Sequence, residues 1–180
     1  KKITFLMYSR MIKQKGVIEY INAINRIDST DKKKSSFYLI GDPDNNNPSS
    51  ISKKYLNLLN EKGSINYISH QKNIKKYILK SDVIVLPSYG EGLPAALLEA
   101  LFFKKAIITT KVNGCLELVR NNFNGYAVEP KNSNQLYLAM FKIISNPKIL
   151  NRFKKNSYSL YKKKFKKDSI QAYLKLYNSI

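Results

Sequence analysis

The chain has 180 residues, of which 43% are hydrophobic and 12% aromatic, so it can bury a sizeable core without metal or disulfide support. No apolar run approaches the roughly eighteen residues that a membrane-spanning helix needs. The single cysteine excludes an intramolecular disulfide, and the single histidine excludes a two-histidine metal site. That histidine, His70, has no nucleophile motif to pair with, which excludes a serine-hydrolase triad.

The formal net charge of +20 has two interpretations. A chain this basic could bind nucleic acid, a membrane surface or a phosphorylated substrate. Alternatively, AT-rich codons inflate lysine and asparagine together, and all but four of the 32 basic residues are lysines. The sequence lacks the arginine-rich pattern and regularly spaced aromatic residues of nucleic-acid readers, so nucleic acid is not expected as a partner.

Short apolar runs alternate with stretches of helical periodicity along the chain. The run Val83 to Leu86 is apolar throughout, as expected of a central parallel strand covered on both faces. The predicted strands are residues 3–8, 37–40, 65–68, 83–86, 106–109 and 125–128. The predicted helices are residues 16–27, the stretch from the 44–50 loop to about residue 60, 74–79, 94–103, a short helix near 116–119, 132–145, and the chain from 147 onward.

This alternation with short connections predicts an α/β fold: a Rossmann-like domain with a parallel sheet of six strands and helices on both faces. In such sheets, ligands bind where the carboxyl ends of the strands meet loops and helix N-termini. Residues that directly follow the predicted strands are therefore the candidates for chemistry.

The first candidate cluster follows the first strand. Arg10 comes just after that strand, and Lys15-Gly16 opens the next helix. A guanidinium, an ammonium and the backbone N–H groups of a helix N-terminus together suit a phosphate or diphosphate. The competing interpretation is a pair of solvated loop charges in a lysine-rich chain.

The second cluster follows the fourth strand, where the loop 90–94 leads into a helix that contains Glu99. Gly90 and Gly92 let the backbone approach a ligand closely. Glu99 lies about one and a half turns into the helix, where a buried carboxylate would suit vicinal sugar hydroxyls. The competing interpretation makes Glu99 a charge on the helix surface.

The same loop matches the G-x-G-x-x-A pattern of dinucleotide-binding folds from Gly90 to Ala95. Two features of its context disfavour that interpretation. The loop follows the fourth strand rather than the first, and the next strand ends at Thr109-Thr110-Lys111 without an acidic residue for the ribose.

A third cluster, Val112 to Val119, follows the fifth strand, and His70 follows the third. Gly114 fits either a structural turn or a ligand contact. Cys115 has no basic neighbour in the sequence that would activate it, so it is expected to pack rather than react. His70 could line a base pocket or make a structural hydrogen bond.

In these motifs the chain resembles the C-terminal, nucleotide-sugar-binding domain of the GT-B glycosyltransferases, specifically the retaining family 4. Arg10 with Lys15-Gly16 matches the G-R-L…K-G motif, with Ser9 in place of the usual glycine. Glu91 to Glu99 matches the E-x7-E signature. The other matching segments are Leu39–Asp42, Ser81–Ser88, Val112–Val119, Asn124-Gly125 and Val128–Pro130.

The resemblance implies a role for each matching residue. Arg10 and Lys15 would hold the donor diphosphate and neutralise the charge of the leaving group. Glu91 would contact the donor sugar, so these three residues are the expected catalytic groups. Glu99 would bind the ribose hydroxyls. The remaining donor-binding residues would be Ile68 and His70 near the base, and Gly92, Leu93 and Pro94 near the phosphate or sugar.

The resemblance also implies an activity: retaining transfer of a sugar from a nucleotide-sugar, expected to be a UDP-sugar, to an acceptor in bacterial surface polysaccharide or glycan synthesis. The segment 42–52 further resembles enzymes that build such glycans on lipid carriers. No metal or other cofactor is expected, because the basic pair would replace a cation. Residues 1–180 would be the donor-binding domain, inactive alone, with the N-terminal acceptor domain absent from this chain. The alternatives are a non-catalytic nucleotide- or phosphate-binding module and a basic nucleic-acid or membrane-surface protein.

Clustered lysines near the C-terminus alternate with aromatic residues. The expected location is the cytoplasm, and such a cluster could place the protein at the inner face of the cell membrane, because it can lie on an anionic bilayer. The alternative is a solvated helix face whose aromatic residues pack on the domain or on the absent half. The cluster consists of Lys154, Lys155, Tyr158, Leu160, Tyr161, Lys162, Lys163, Lys164, Phe165, Lys166 and Lys167.

Overall fold

The computed structural model describes residues 2–164 of the chain. The strands are β1 (Ile3–Tyr8), β2 (Ser35–Ile40), β3 (Asn66–Ile68), β4 (Val83–Leu86), β5 (Ala106–Thr110) and β6 (Gly125–Val128). The helices are α1 (Val17–Asn25), α2 (Ser29–Lys33), α3 (Lys53–Glu61), α4 (Lys75–Lys80), α5 (Ala95–Phe102), α6 (Asn113–Leu116), α7 (Ser133–Ser145) and α8 (Pro147–Lys164). A short 3-10 turn, Lys13–Lys15, precedes α1.

The six strands form one parallel sheet in the order β3-β2-β1-β4-β5-β6. This confirms the predicted α/β class and the number of strands. The strand order reverses between β1 and β4, which are neighbours in space although 74 residues lie between Tyr8, the end of β1, and Val83, the start of β4. We call the carboxyl ends of these two strands the switch point. Ligands bind at such places in open parallel sheets.

Alternating side chains of the central strands fill two separate cores, one on each face of the sheet. Phe5 and Met7 of β1 belong to the core covered by α1, α3 and α7. Leu6, between them, belongs to the core covered by α4 and α5. Helix α8 contributes to both cores, Phe153 to the first and Leu160 to the second, so it crosses from one face of the sheet to the other.

The crossing of α8 is held at the amino edge of the sheet by polar contacts. Lys154 pairs with Asp82, which also accepts a hydrogen bond from the backbone N–H of Thr4 at 3.0 Å. The Lys105 ammonium donates to the backbone carbonyl of Leu79 in α4 at 2.9 Å and to that of Ser81, just after α4, at 2.7 Å. The Ser157 hydroxyl donates to the carbonyl of Lys105 at 2.6 Å. We call Asp82, Lys105, Lys154 and Ser157 the amino-edge cluster.

Two helices differ from the sequence prediction. Helix α2 was not predicted, because its five residues have no apolar face and only the Asp28 side chain marks its start by accepting from the Asp31 N–H at 2.8 Å. The short helix expected near residues 116–119 was placed three residues too late, since α6 spans Asn113–Leu116 and only two residues separate it from β5. The packing of Gly114, described below, fixes that position.

Several residues of the C-terminal lysine cluster contact the rest of the domain. Leu160 and Tyr161 are buried, Lys154 pairs with Asp82, and Lys164 pairs with Glu117 at 2.8 Å. These contacts support packing on the domain for this part of the cluster, whereas its residues 165–167 lie outside the described part of the chain. Among residues 2–164, no helix is both long enough and apolar enough to cross a membrane.

Candidate functional site

The loops that follow β1 and β4 are fastened to each other at the switch point. Gly16 has a left-handed φ of +76°, and a Cβ there would lie 2.1 Å from the carbonyl oxygen of Pro87. The backbone N–H of Tyr89 donates to the carbonyl of Gln14 at 2.8 Å, and the Ser88 hydroxyl donates to the same carbonyl at 3.1 Å. Only glycine fits at position 16, and the two loops hold a fixed relative position.

Lys15 and Glu91 meet across this junction. Lys15 Nζ lies 2.7 Å from Glu91 Oε1, and the two side chains are 23% and 11% exposed. Lys15 ends the 3-10 turn just before α1, and Glu91 lies in the loop just before α5. The first N–H groups of both helices have no partner within the helix, so they add partial positive charge nearby. The structure thus brings together two of the three predicted catalytic residues as an ion pair.

Gly114 packs beneath the loop that carries Glu91. A Cβ at Gly114 would lie 1.5 Å from the carbonyl oxygen of Gly92 and 2.5 Å from that of Glu91. The Thr110 hydroxyl donates to the carbonyl of Ser88 at 2.5 Å. Of the two interpretations of Gly114, this geometry supports the structural one. It also explains why α6 begins so soon after β5, with only two residues between them.

Arg10, the third predicted catalytic residue, pairs with a different acidic residue. Its Nη1 lies 2.7 Å from Asp44 Oδ2 in the asparagine-rich loop, and its side chain remains 63% exposed. That loop is fixed in turn, because the Asp44 N–H donates to the Ser50 hydroxyl at 3.0 Å. Gly41 explains how β2 enters the loop: a Cβ there would lie 1.9 Å from the carbonyl oxygen of Ser9. Sequence reasoning missed Asp44, whose only signal was an acidic residue in a polar loop beyond a strand.

Glu99 is a buried residue, only 9% exposed, so its interpretation as a helix-surface charge was wrong. Its Oε2 accepts a hydrogen bond from the Tyr8 hydroxyl at 2.5 Å. Tyr8 is the last residue of β1, and Glu99 lies in the middle of α5. Sequence reasoning missed Tyr8. Its only signal was a polar-tipped aromatic residue at the carboxyl end of an otherwise apolar strand.

A cleft of about 370 Å³ opens between the ends of β1 and β2 and the segment after β3. Its lining includes Tyr8, Arg10 and His70, so the predicted base-binding side lies next to the predicted phosphate-binding arginine. His70 is exposed, and Ile68 is half-buried against the core covered by α4 and α5. A larger opening of about 840 Å³ lies between β6 and α7, but none of the predicted site residues lines it. Volume alone therefore does not locate the site.

The other predicted residues of the glycine loop surround Glu91. Pro94 is the residue before α5, in extended conformation, and the Leu93 side chain is 55% exposed. Gly92 would have open space around an added Cβ. The loop is therefore open to a ligand on this side, while its other side is held by Gly114.

Two ionisable groups near the site keep their protons. Burial raises the pKa of the Cys115 thiol, in agreement with the expectation that this cysteine packs. Burial also raises the pKa of the Tyr89 phenol, and the Glu19 carboxylate, which accepts the phenol hydrogen at 2.7 Å, raises it further. Tyr89 thus stays neutral and ties the loop after β4 to α1. Among residues 2–164, no group of three or more His, Cys, Asp or Glu side chains is placed to hold a metal ion.

Comparison with known proteins agrees with the predicted resemblance. The family described as "Glycosyl transferases group 1" matches residues 1–160. The chain is 31% identical over 180 residues to the N,N'-diacetylbacillosaminyl-diphospho-undecaprenol alpha-1,3-N-acetylgalactosaminyltransferase of Campylobacter jejuni, covering 100% of this chain and 46% of that protein. It is 29% identical over 153 residues to the UDP-Gal:alpha-D-GlcNAc-diphosphoundecaprenol alpha-1,3-galactosyltransferase of Escherichia coli, covering 84% and 39% respectively.

A solved structure matches in fold as well as in length. It is the C-terminal domain of a glycosyl transferase group 1 family protein, LpcC, from Francisella tularensis. The two chains share 27% identity at a TM-score of 0.76, over 92% of this chain and 86% of that one. The present chain, by contrast, spans less than half the length of the two curated relatives above. With the family match extending over residues 1–160 and the predicted motifs in place around the switch point, this chain belongs to the glycosyl transferases group 1 family.

Proposed function

We propose that this chain is the nucleotide-sugar-binding half of a retaining glycosyltransferase, and that its donor is a UDP-sugar. The observation that carries the proposal is the half-buried Lys15–Glu91 pair between two helix N-termini at the switch point. Family membership supports the activity, and the Escherichia coli relative, whose name specifies UDP-Gal, supports the choice of donor.

The donor diphosphate would lie against Lys15 and Arg10. An ammonium has three N–H donors, so Lys15 can bind Glu91 and a phosphate oxygen at once, whereas the exposed guanidinium of Arg10 would be shared between Asp44 and the diphosphate. When the sugar–phosphate bond breaks, negative charge grows on the departing phosphate oxygen. The two cations and the N–H groups of α1 and α5 would stabilise that charge. This arrangement would do the work that a metal ion does in other transferases, so we propose that no metal takes part.

Glu91 would accept hydrogen bonds from hydroxyls of the donor sugar. Its pairing with Lys15 matters for this role, because an unpaired carboxylate would repel the adjacent diphosphate. Glu99 would bind the ribose through its vicinal hydroxyls, deeper under the loop. The uracil would occupy the cleft beside His70 and Ile68, and backbone groups around Gly92, Leu93 and Pro94 would contact the phosphate or sugar.

We further propose that the acceptor is a lipid-linked glycan at the cytoplasmic face of the cell membrane. Both curated relatives are named for diphospho-undecaprenol substrates. Lys155, Lys162 and Lys163 of α8 are exposed and could approach an anionic bilayer surface. The acceptor-binding half would come from outside these 180 residues.

Isothermal titration of this chain with UDP and with uridine tests the proposal. We expect weak but saturable binding of UDP, with uridine binding at least about tenfold more weakly because it lacks the charge-assisted contacts to the diphosphate. Equal affinity for the two ligands, or no binding of UDP, would contradict the diphosphate site. We also expect no sugar transfer by this chain alone, because the acceptor-binding half would be missing. Measured transfer would contradict the proposal that this chain supplies only the donor-binding half.

A further inference from the structure

Tyr8 connects the end of β1 to the middle of α5, across 91 residues of sequence. Its hydroxyl donates to Glu99 Oε2 at 2.5 Å, while the carbonyl oxygen of Ala96 lies farther away at 3.2 Å. A phenol has one proton, and the shorter contact to a carboxylate is the stronger hydrogen bond. The Tyr8 ring also borders the cleft that contains Arg10 and His70.

We propose that Tyr8 is a positioning residue for ribose recognition. It acts through Glu99 by fixing the carboxylate in the orientation that receives two vicinal ribose hydroxyls. The inference rests on the proposed nucleotide site and deepens it, because it assigns the choice between ribose and deoxyribose to a pair of residues rather than to Glu99 alone.

The chemistry of a buried carboxylate supports this assignment. A glutamate that is 9% exposed has to receive hydrogen bonds, because burial of an unsatisfied charge is costly. A carboxylate accepts about four hydrogen bonds, so a glutamate that is held by a donor within the domain can also receive a diol. Because the phenol holds the glutamate in one rotamer before the ligand arrives, less side-chain freedom is lost on binding.

The position of Tyr8 supports a binding role over a merely structural one. The residue lies at the carboxyl edge of the sheet, where its ring lines the open cleft and its hydroxyl contacts Glu99 of α5. Tyr20 offers a contrast within the same domain. Its hydroxyl donates to the carbonyl of Phe5 at 3.3 Å, and its side chain is fully buried in the core.

The test compares Tyr8→Phe with wild type, using UDP, 2′-deoxy-UDP and 3′-deoxy-UDP as ligands in isothermal titration. Phenylalanine keeps the ring and removes only the donor. We expect Tyr8→Phe to weaken UDP binding by about fivefold, because it removes one hydrogen bond to the Glu99 carboxylate, which in turn contacts the ribose. The affinities for the two deoxy ligands should change less. The ratio of UDP affinity to deoxy-ligand affinity in Tyr8→Phe should therefore fall towards the ratio measured in Glu99→Gln.

A double-variant cycle tells positioning apart from general damage. If Tyr8 acts through Glu99, the Tyr8→Phe, Glu99→Gln double variant binds UDP as Glu99→Gln does, within about twofold. Tyr20→Phe is the matched control, and it should leave all three affinities unchanged. Thermal unfolding of each variant confirms that the fold is retained.

Each outcome either supports or overturns the inference. If wild type binds UDP and prefers it to the deoxy ligands while Tyr8→Phe keeps the same preference, the inference about Tyr8 is wrong and the nucleotide site stands. Equal weakening of all three ligands by Tyr8→Phe would overturn the inference in the same way. If wild type shows no preference for UDP over the deoxy ligands, the ribose role of Glu99 and Tyr8 is overturned. If wild type does not bind UDP, both this inference and the proposed function fail.

Discussion

The amino edge and the carboxyl edge of the sheet contain the same kinds of residues in different roles. At the amino edge, Asp82 binds both Lys154 and the backbone N–H of Thr4, and Lys105 is bound to two carbonyls. At the carboxyl edge, Lys15 binds the carboxylate of Glu91 beside two helix N-termini and an open glycine loop. Both edges hold a lysine–carboxylate pair with limited exposure.

The difference lies in what surrounds each pair. The amino-edge cluster lies against α8, and its hydrogen bonds and ion pair are made to other groups of the domain. Its contribution is therefore to stability. The Lys15–Glu91 pair faces the loops after β1 and β4, where donors and partial positive charge converge. Its ammonium has donors to share with a ligand. The presence of an ion pair therefore says little about its role until its other partners are known.

The largest effect on stability is expected from Asp82→Asn. The substitution removes the charge that pairs with Lys154 while it keeps the size of the side chain. Breaking a mostly buried pair leaves an uncompensated ammonium, so we expect the free energy of unfolding to fall by about 2–3 kcal/mol. Urea denaturation measures this loss.

Lys155→Met is the matched control for Asp82→Asn, because Lys155 is the exposed neighbour of Lys154 on α8. It should change the free energy of unfolding by no more than about 0.5 kcal/mol. UDP affinity should stay within about twofold of wild type in both variants. A loss of UDP affinity in Asp82→Asn as large as that in a carboxyl-edge variant would erase the contrast between the edges.

The largest effect on binding is expected from Lys15→Met. Loss of one charge-assisted contact costs roughly 1.5–3 kcal/mol, so UDP affinity should fall by about tenfold or more while uridine affinity is kept. Arg10→Met should show the same selectivity with a smaller loss, because the Arg10 side chain is 63% exposed and that of Lys15 is 23% exposed. Titration calorimetry with both ligands measures the two effects, and equal losses for UDP and uridine would indicate a folding defect instead.

A smaller effect of opposite sign is expected from Asp44→Asn. Asp44 competes with a diphosphate for Arg10, and exposed ion pairs contribute only about 0–1 kcal/mol. Removing the competing charge should therefore tighten UDP binding by about two- to threefold. Weaker binding in this variant would mean that Asp44 orients Arg10 for the ligand rather than competing with it.

The smallest effect on stability is expected at the exposed ion pair between Glu117 and Lys164. This pair shows what a solvent-exposed ion pair contributes, for comparison with the pairs at the two edges of the sheet. The hydrogen bond and charge of Lys164 lower the pKa of Glu117 from its ordinary value of 4.5. A carboxyl whose pKa is lowered by folding adds stability above its unfolded pKa and loses it as the pH falls through the folded pKa. Glu117→Gln should therefore leave the Tm almost unchanged at pH 7, and any difference from wild type should vanish in acid. A large loss of Tm at pH 7 would contradict this ranking.

The sheet could be predicted from the sequence because its strands leave a strong local signal. β4 is apolar along its whole length, β1 is interrupted only by Thr4, and β5 begins with three apolar residues, as expected when both faces are covered. Parallel pairing then places every carboxyl end at one edge. Because Lys15 and Glu91 each follow a strand, their meeting at that edge was a consequence of topology.

The remaining contacts could not be predicted because they have no local signal. Arg10 meets Asp44 through a loop without periodicity, and Tyr8 meets Glu99 across 91 residues. The start of α6 depends on how closely Gly114 approaches the carbonyl of Gly92, which is a property of the packed loops. Such positions follow from three-dimensional packing rather than from spacing along the chain.

The most direct measurement is a titration of the ¹⁵N-labelled chain with UDP, followed by residue-resolved amide shifts in NMR spectra. Binding at the switch point predicts that the shifts concentrate in the loops after β1 and β4 and near His70, and that they are absent from the amino-edge cluster. Shifts spread over the exposed lysines of α8, or centred on the opening between β6 and α7, would contradict a diphosphate site at Lys15 and Glu91.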